Sequence, residues 1–440
     1  MLSLQKIYDH APVFFQNIMC SVKGWTIQRR RYGKEFFRYL SDYENHQVSS
    51  EESLNTFLNA IKYVPAYKPV FDNANQGGVK LSDFEVITKV DVKRDYYDYI
   101  NTTYLGKTVK AHTSGTTGSG LVFPISVEAE QRQWAVWWRF RESIGIKFGT
   151  WCGWFGGRQM ISLSIQRPPY WRINRPGKQV MFSTYHLNAE TVRYFIDEIR
   201  RRKLTWLHGY PSILSYLAKL AQQTNLPQVE CVKFITTGGE NLLPSQIDTL
   251  QRTFPNAIVR THYGLTEGVA NISQTADGDW KIDSDFAYIE LIPVDEDVHS
   301  DIVRCRIVGT GITNLAFPLV RYDTGDIALV KVVDGKQKIV GIEGRSGDYF
   351  ILKNGTKLTG ILATFIFNEM LNVVEAQVRL KKDGSIELLV VKGPAYNLDD
   401  EEKLMRLAKK HIASDIDIYI TYTDSIPRTK AGKFRAIVAE

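Results

Sequence analysis

The chain has 440 residues, of which 44% are hydrophobic and 23% charged, and its formal net charge is +7. These values exclude a disordered, fibrous or membrane-embedded chain and leave a globular protein long enough for two or three domains. The basic runs are short, Arg29–Arg31 and Arg200–Lys203, and read as solvated helix ends, so no nucleic-acid partner is expected. The four cysteines, Cys20, Cys152, Cys231 and Cys305, are scattered without a C-x-x-C pair. That argues against a zinc site or disulfide framework and for reduced thiols in a cytoplasmic protein.

Residues 1–70 read as helical. The apolar stretch 11–20 is interrupted by Gln16 and Asn17 and is too short to span a bilayer, which needs roughly 20 apolar residues. No transmembrane segment is expected; a buried helix is the simpler reading, with a peripheral membrane contact as the alternative. From about 105 to 330 short β-branched runs alternate with helical patterns: 206–208 then 211–223, 232–236 then 244–254, then 258–259. That alternation predicts an α/β fold with parallel strands. Between 286 and 341 the texture is strand-rich, with a hairpin at Asp334-Gly335. Strands at 376–380 and 386–391 and a helix over 399–412 predict a separate small α+β unit. The Gly-rich stretch 341–348 lies before it. The expected division is a large domain over 1–342 that includes a β-rich subdomain, a hinge over 343–348, and a small mobile domain over 349–440.

Five stretches carry candidate chemistry. Thr113-Ser114-Gly115-Thr116-Thr117-Gly118 lies between apolar runs. Hydroxyls interleaved with glycine offer the donors and close backbone N–H groups that a triphosphate needs, although such a loop can also be a plain polar turn. It lacks the Gly-Lys-Ser/Thr ending of a Walker loop. Thr261-His262-Tyr263-Gly264-Leu265-Thr266-Glu267 follows a strand. Tyr263 offers a flat face for a base, and Thr266 with Glu267 offers oxygens suited to Mg²⁺. Arg321-Tyr322-Asp323-Thr324-Gly325-Asp326 places a carboxylate after a turn, where it can accept both hydroxyls of a ribose or simply cap a hairpin. Gly344-Arg345-Ser346-Gly347-Asp348 sits at the expected joint. Near the end, Pro427 to Arg435 holds Lys433 beside Gly432, a mobile charge able to meet a negative transition state or else part of a basic tail.

In this order the five stretches resemble the signatures of the adenylate-forming superfamily of acyl-CoA synthetases, peptide-synthetase adenylation domains and luciferases. The likeness is greatest to the phenylacetate–CoA ligase branch and its CapK-like, capsule-biosynthesis members. The features that carry it are the short chain, the run 20–25 with Arg31-Tyr32-Gly33, the stretch 236–245 and the Arg-Thr-Lys-Ala-Gly-Lys ending. The resemblance implies that 113–118 holds the β- and γ-phosphates of ATP and that Gly238, Gly239 and Glu240 border the adenine. By the same likeness Tyr263 stacks on the base, within the nucleotide-binding run His262-Tyr263-Gly264. Thr266 and Glu267 would meet the α-phosphate and Mg²⁺, and Asp326 and Arg345 the ribose. Lys433 would serve adenylation, with Gly347 and Asp348 as the hinge. Two departures stand out. The loop lacks the lysine that many members carry after it, and glycine fills hinge position 347, where it can absorb backbone change.

The implied reaction activates a small-molecule carboxylate as an acyl-adenylate and passes it to a thiol, such as that of CoA, or to an amine. An acyl pocket is expected between the 134–171 segment and the 206–240 strands, with Trp134, Arg158, His208 and Tyr210 as candidate lining. For the Trp137–Trp138 pair an aromatic core stripe is the plainer account. A non-catalytic nucleotide-binding scaffold is the reading from another class.

Overall fold

The computed structural model describes residues 4–439 except 46–49, 75–77, 114–119, 295–300, 334, 346–348, 353–356, 360–369, 371, 394, 413–415 and 429–433. The polypeptide forms two compact units, each built from separate stretches of chain. The first comprises 1–20, 150–259 and 346–440; the second comprises 21–149 and 260–345.

The first unit contains the expected parallel arrangement. Strand Cys152–Phe155 runs parallel to both Gln179–Phe182 and Trp206–Gly209, and the latter runs parallel to Phe234–Gly238. Strand Trp171–Asn174 adds an antiparallel edge. The helices Pro211–Gln223 and Pro244–Thr253 each begin with proline in the first turn, where its missing N–H costs nothing and its fixed φ suits the helix. Their apolar faces bury Leu214, Leu217, Ala218 and Leu250 together with Val180, Phe182, Leu207 and Ile235 of the strands. Full burial of such a side chain contributes about 1.5–3 kcal/mol, so this layer is the main stabilising element of the unit.

The C-terminal stretch contributes a four-stranded sheet in the order Ile418–Tyr422, Ile386–Lys392, Val373–Leu380, Ile437–Ala439. Helix Leu398–His411 starts at Asn397, whose side chain accepts the N–H groups of Asp399 and Asp400, with acidic residues filling the first turn. Both features favour a helix start. Leu404, Leu407 and Ala408 pack beneath this sheet with Val378, Leu388 and Val390. Val374, Leu389, Val391 and Ile426 instead join the core of the 150–259 layer. Strand residues alternate in direction, so this small sheet is apolar on both faces.

The second unit holds the β-rich part, an antiparallel sheet in the order Ala287–Pro293, Ile302–Gly311, Tyr322–Val333, Lys336–Arg345. Helix Val127–Ser143 begins at Ser126, whose hydroxyl accepts the Ala129 N–H at 3.0 Å. Trp138 of this helix is buried, in line with the core-stripe reading, whereas Trp137 is half-buried. The Trp137 indole donates to Asn271 Oδ1 and that of Trp138 to the Tyr32 hydroxyl, both at 3.1 Å.

One expectation fails. The apolar stretch 11–20, read as a buried helix, exposes Phe14 (69%), Phe15 and Ile18 to solvent. Gln16 is its buried residue, with its amide tied to the Tyr8 carbonyl and to Arg172. No helix among the described residues is long and apolar enough to cross a membrane.

Candidate active site

In the first unit the candidate residues gather at one edge of the parallel strands. Phe155, Gly209 and Thr237 are in register across three neighbours. The residues that follow them, Arg158, Tyr210 and Gly238-Gly239-Glu240, therefore leave from the same, carboxyl, end, the usual ligand-binding edge of such a sheet. Gly239 has φ +77°, a left-handed conformation that costs glycine little and other residues more. His208 lies one row inside, with Nδ1 2.9 Å from Thr236 Oγ1, which also accepts the Trp206 indole N–H at 2.8 Å. Tyr210 precedes the helix Pro211–Gln223 and is half-buried. Burial, with help from the Glu240 charge, pushes its phenol pKa up, and Arg158 opposes that shift. Glu240 accepts two backbone N–H groups, from Ser212 at 3.2 Å and from Phe434 at 2.9 Å.

The second unit assembles another set. The strand Ile258–Gly264 carries His262, Tyr263 and Gly264. The His262 ring packs against Trp137 and Phe140, with centroids 5.7 and 5.4 Å away. Tyr263 donates its hydroxyl hydrogen to Asp326 Oδ2 at 2.7 Å. Burial first, and then the Asp326 charge, hold that phenol protonated, well above its ordinary pKa. Asp326 is itself buried, and its backbone N–H donates to Thr324 Oγ1 at 3.1 Å. Arg345 lies opposite Asp326 in the strand register. Two residues that the resemblance assigned to the ribose are thus paired neighbours in the sheet.

The turn bearing Thr266 and Glu267 exposes the first and buries the second. It rests against the strand Ile302–Gly311 at two glycines. A Cβ on Gly309 would lie 2.1 Å from the Val269 carbonyl oxygen, and one on Gly311 would lie 2.8 Å from that of Gly268. Side chains at either position would exclude the turn.

Thr113 opens the candidate phosphate loop. Its hydroxyl accepts the Leu121 N–H and the Lys89 ammonium, each at 2.9 Å. Lys89 escaped sequence reasoning because it lies 24 residues upstream, and no local pattern ties it to the loop. Trp134 belongs to the second unit, in a cluster with Tyr32 and Trp137, with the Arg31 guanidinium 4.2 Å above its ring. Arg158, His208 and Tyr210 belong to the first. Ser114–Gly118, Gly347, Asp348 and Lys433 lie outside the described residues, and only the backbone of Arg345 is described.

Residues 175–288 match the AMP-binding enzyme family, and residues 350–440 match the CapK C-terminal domain. The chain carries an AMP-binding domain and a CapK C-terminal domain. The AMP-binding match takes in Glu240, Tyr263 and Glu267. The CapK C-terminal match takes in Glu375, Arg428 and Lys433. Over its length the chain is 26% identical to Protein CapK of Staphylococcus aureus, with 98% of each chain covered. Its fold is that of adenylate-forming ligases. It is similar to 2-hydroxyisobutyryl-CoA ligase in the postadenylation state with R3-HIB-AMP, at TM-score 0.60 and 15% identity over 98% of this chain and 91% of the other. It is also similar to the anthranilate CoA ligase AuaEII with anthranoyl-AMP, at TM-score 0.52 and 11% identity over 76% and 67%.

Proposed function

We propose that this protein is an ATP-dependent carboxylate ligase. It joins its acid to AMP with release of pyrophosphate and then transfers the acyl group to an acceptor. The observation that carries the reading is the Tyr263–Asp326 pair, 2.7 Å apart, with Asp326 buried and Arg345 in register. Asp326 is a carboxylate suited to ribose hydroxyls, and its bond to Tyr263 fixes the aromatic ring in one orientation beside it. Preorganised groups of this kind need no rearrangement when the nucleotide arrives.

A substrate carboxylate oxygen attacks the α-phosphorus, and the bond to the pyrophosphate oxygen breaks. Negative charge spreads over the phosphoryl oxygens, so catalysis rests on positioning and charge neutralisation. Lys433 is the residue we assign to that neutralisation, and the 113–118 loop, with Lys89 at its base, to the departing phosphates. Mg²⁺ fits the donor set as a substrate-borne ion. Glu267 is one buried carboxylate, and no group of three or more His, Cys, Asp or Glu that could hold a metal occurs among the described residues. Mg²⁺ is commonly held by one or two carboxylates together with phosphates and water, and when bound it offsets phosphate charge.

The acceptor is a thiol, such as CoA, or an amine. The likeness to CapK supports surface-polysaccharide biosynthesis as the setting, and the CoA ligases among the structural neighbours support the thiol. The 343–348 segment is the proposed pivot between 1–342 and 349–440, and the cytoplasm is the proposed location. Exchange of labelled pyrophosphate into ATP, driven by a panel of carboxylic acids, tests the first step. Acid-dependent exchange is expected, and Lys433→Ala should abolish it while ATP still binds. A protein that binds ATP yet exchanges with no acid would instead be a nucleotide-binding scaffold. CoA and amines supplied in parallel, with thioester or amide read by mass spectrometry, separate the two acceptor classes.

A further inference from the structure

Glu240 is the residue whose surroundings exceed the role expected of it. A helix start leaves backbone N–H groups without partners inside the helix. Tyr210, at the N-cap of Pro211–Gln223, supplies no side-chain cap. Glu240, on a different element, fills that role by accepting the Ser212 N–H, and a carboxylate is favoured at this end of a helix. Its other oxygen accepts the N–H of Phe434, in the C-terminal stretch of the same unit.

A second strut runs beside the first. Arg428 donates to Ser212 Oγ at 3.4 Å and to the Glu375 carboxylate, and its guanidinium sits 4.9 Å from the centre of the Phe434 ring. Lys219, from the same helix, donates to the Val373 carbonyl at 3.2 Å. Immediately after Phe434, the Arg435 carbonyl accepts the Gln377 amide at 2.8 Å, and the chain enters its parallel strand beside Val373–Leu380. Residue 434 is therefore tied to the helix Pro211–Gln223 through Glu240, while its successor is tied to the C-terminal sheet.

We propose that Glu240 is a positioning residue that docks the C-terminal segment at Phe434 onto the start of the helix Pro211–Gln223, with Arg428 as the second strut. Lys433 precedes Phe434 by one peptide bond, so the dock sets the reach of that lysine. This consequence rests on the adenylation reading; the docking itself is read without substrate. Both Glu240 oxygens already accept N–H groups of this chain, so its contribution is to hold the segment rather than to select the base.

The test is amide hydrogen exchange at Phe434 in the full chain, paired with half-reaction kinetics. Wild-type Phe434 should exchange at least tenfold slower than an unprotected amide. Glu240→Ala removes both acceptor oxygens, so protection at Phe434 should be lost while the far-ultraviolet circular dichroism stays unchanged. In that variant the turnover of pyrophosphate exchange should fall roughly tenfold to hundredfold, the scale expected when a catalytic group is misplaced by about 1 Å. The KM for ATP should hold, as should the rate of acyl transfer from supplied adenylate. An unprotected Phe434 amide in the wild-type chain overturns the proposal without need of any variant. So does a raised KM for ATP with Phe434 protection intact, which would return Glu240 to the adenine. Protection lost in Glu240→Ala, in a protein whose wild type exchanges no pyrophosphate, would uphold the dock and refute adenylation.

Discussion

Replacing Gly309 with alanine puts the architecture around Glu267 to a direct test. The added Cβ would fall 2.1 Å from the Val269 carbonyl oxygen and 2.8 Å from its carbon. Carbon atoms in contact ordinarily sit about 3.5–4.0 Å apart, so the strand and the turn must separate by roughly 1 Å. Neither can yield by a rotamer change, because the obstructing atoms are main chain. Gly309 is held in register with both Ile289 and Tyr322, so its own strand is pinned on two sides and the turn must move. Overpacking of this kind costs about 1–3 kcal/mol. Gly341→Ala is the matched control, because its Cβ would meet only Leu329 side-chain atoms, the nearest at 3.4 Å. Urea denaturation of both variants, followed by the midpoint at constant slope, should show a loss of about 2 kcal/mol for Gly309→Ala and less than about 0.5 kcal/mol for Gly341→Ala. Pyrophosphate exchange should fall in the folded Gly309→Ala protein, because Thr266 and Glu267 ride on the displaced turn. Equal stability of the two variants would refute the close-approach argument.

Lys89→Ala should raise the KM for ATP several-fold and leave the urea midpoint nearly unchanged, since the side chain holds the head of the phosphate loop through Thr113; initial-rate kinetics across ATP concentrations checks this. Glu375, faced by Arg428, Lys219, Glu240 and Tyr216, is raised from the usual 4.5 to about 7, chiefly by burial. The folded state therefore binds a proton more tightly than the unfolded one. Its contribution is full below about pH 4.5 and is lost as pH rises to about 7, by at most about 3 kcal/mol. Thermal midpoints of wild type against Glu375→Gln should diverge in the wild type's favour as pH falls from 7 to 5. Finally, Phe14→Ser with Phe15→Ser should reduce co-sedimentation with anionic vesicles if the exposed 14–18 face meets lipid; equal sedimentation of the two proteins removes that contact.

Much of the first unit was legible because its punctuation is local. Pro211 and Pro244 mark helix starts, and the β-branched runs before them fall within two residues of the observed strands. The C-terminal helix was expected over 399–412 and runs Leu398–His411. The strands Cys152–Phe155, Trp171–Asn174 and Gln179–Phe182 left no such mark. Each has four residues, too few to show a period, and each is extended because a partner strand pairs with it. The candidate turns were legible as compositions, but their joins were not. Glu240 meets an N–H 194 residues away, and a backbone donor has no residue type by which a sequence could announce it. Glu375 did leave a trace, as the one acid in the apolar strand Val373–Leu380, and Arg428 sits inside a motif whose lysine drew the attention.

The interleaved construction of the first unit constrains biosynthesis. Its central layer, made by residues 150–259, is sealed by Val374, Leu389, Val391 and Ile426, which are synthesised more than a hundred residues after it. A nascent polypeptide ending near 345 would present that layer with its apolar side bare, inviting chaperone capture or aggregation. Stop codons placed between 260 and 345 should therefore yield insoluble product rather than a shortened nucleotide-binding fragment. Rejoining the ends elsewhere, so that 346–440 is synthesised ahead of 150–259, would shorten the interval of exposure.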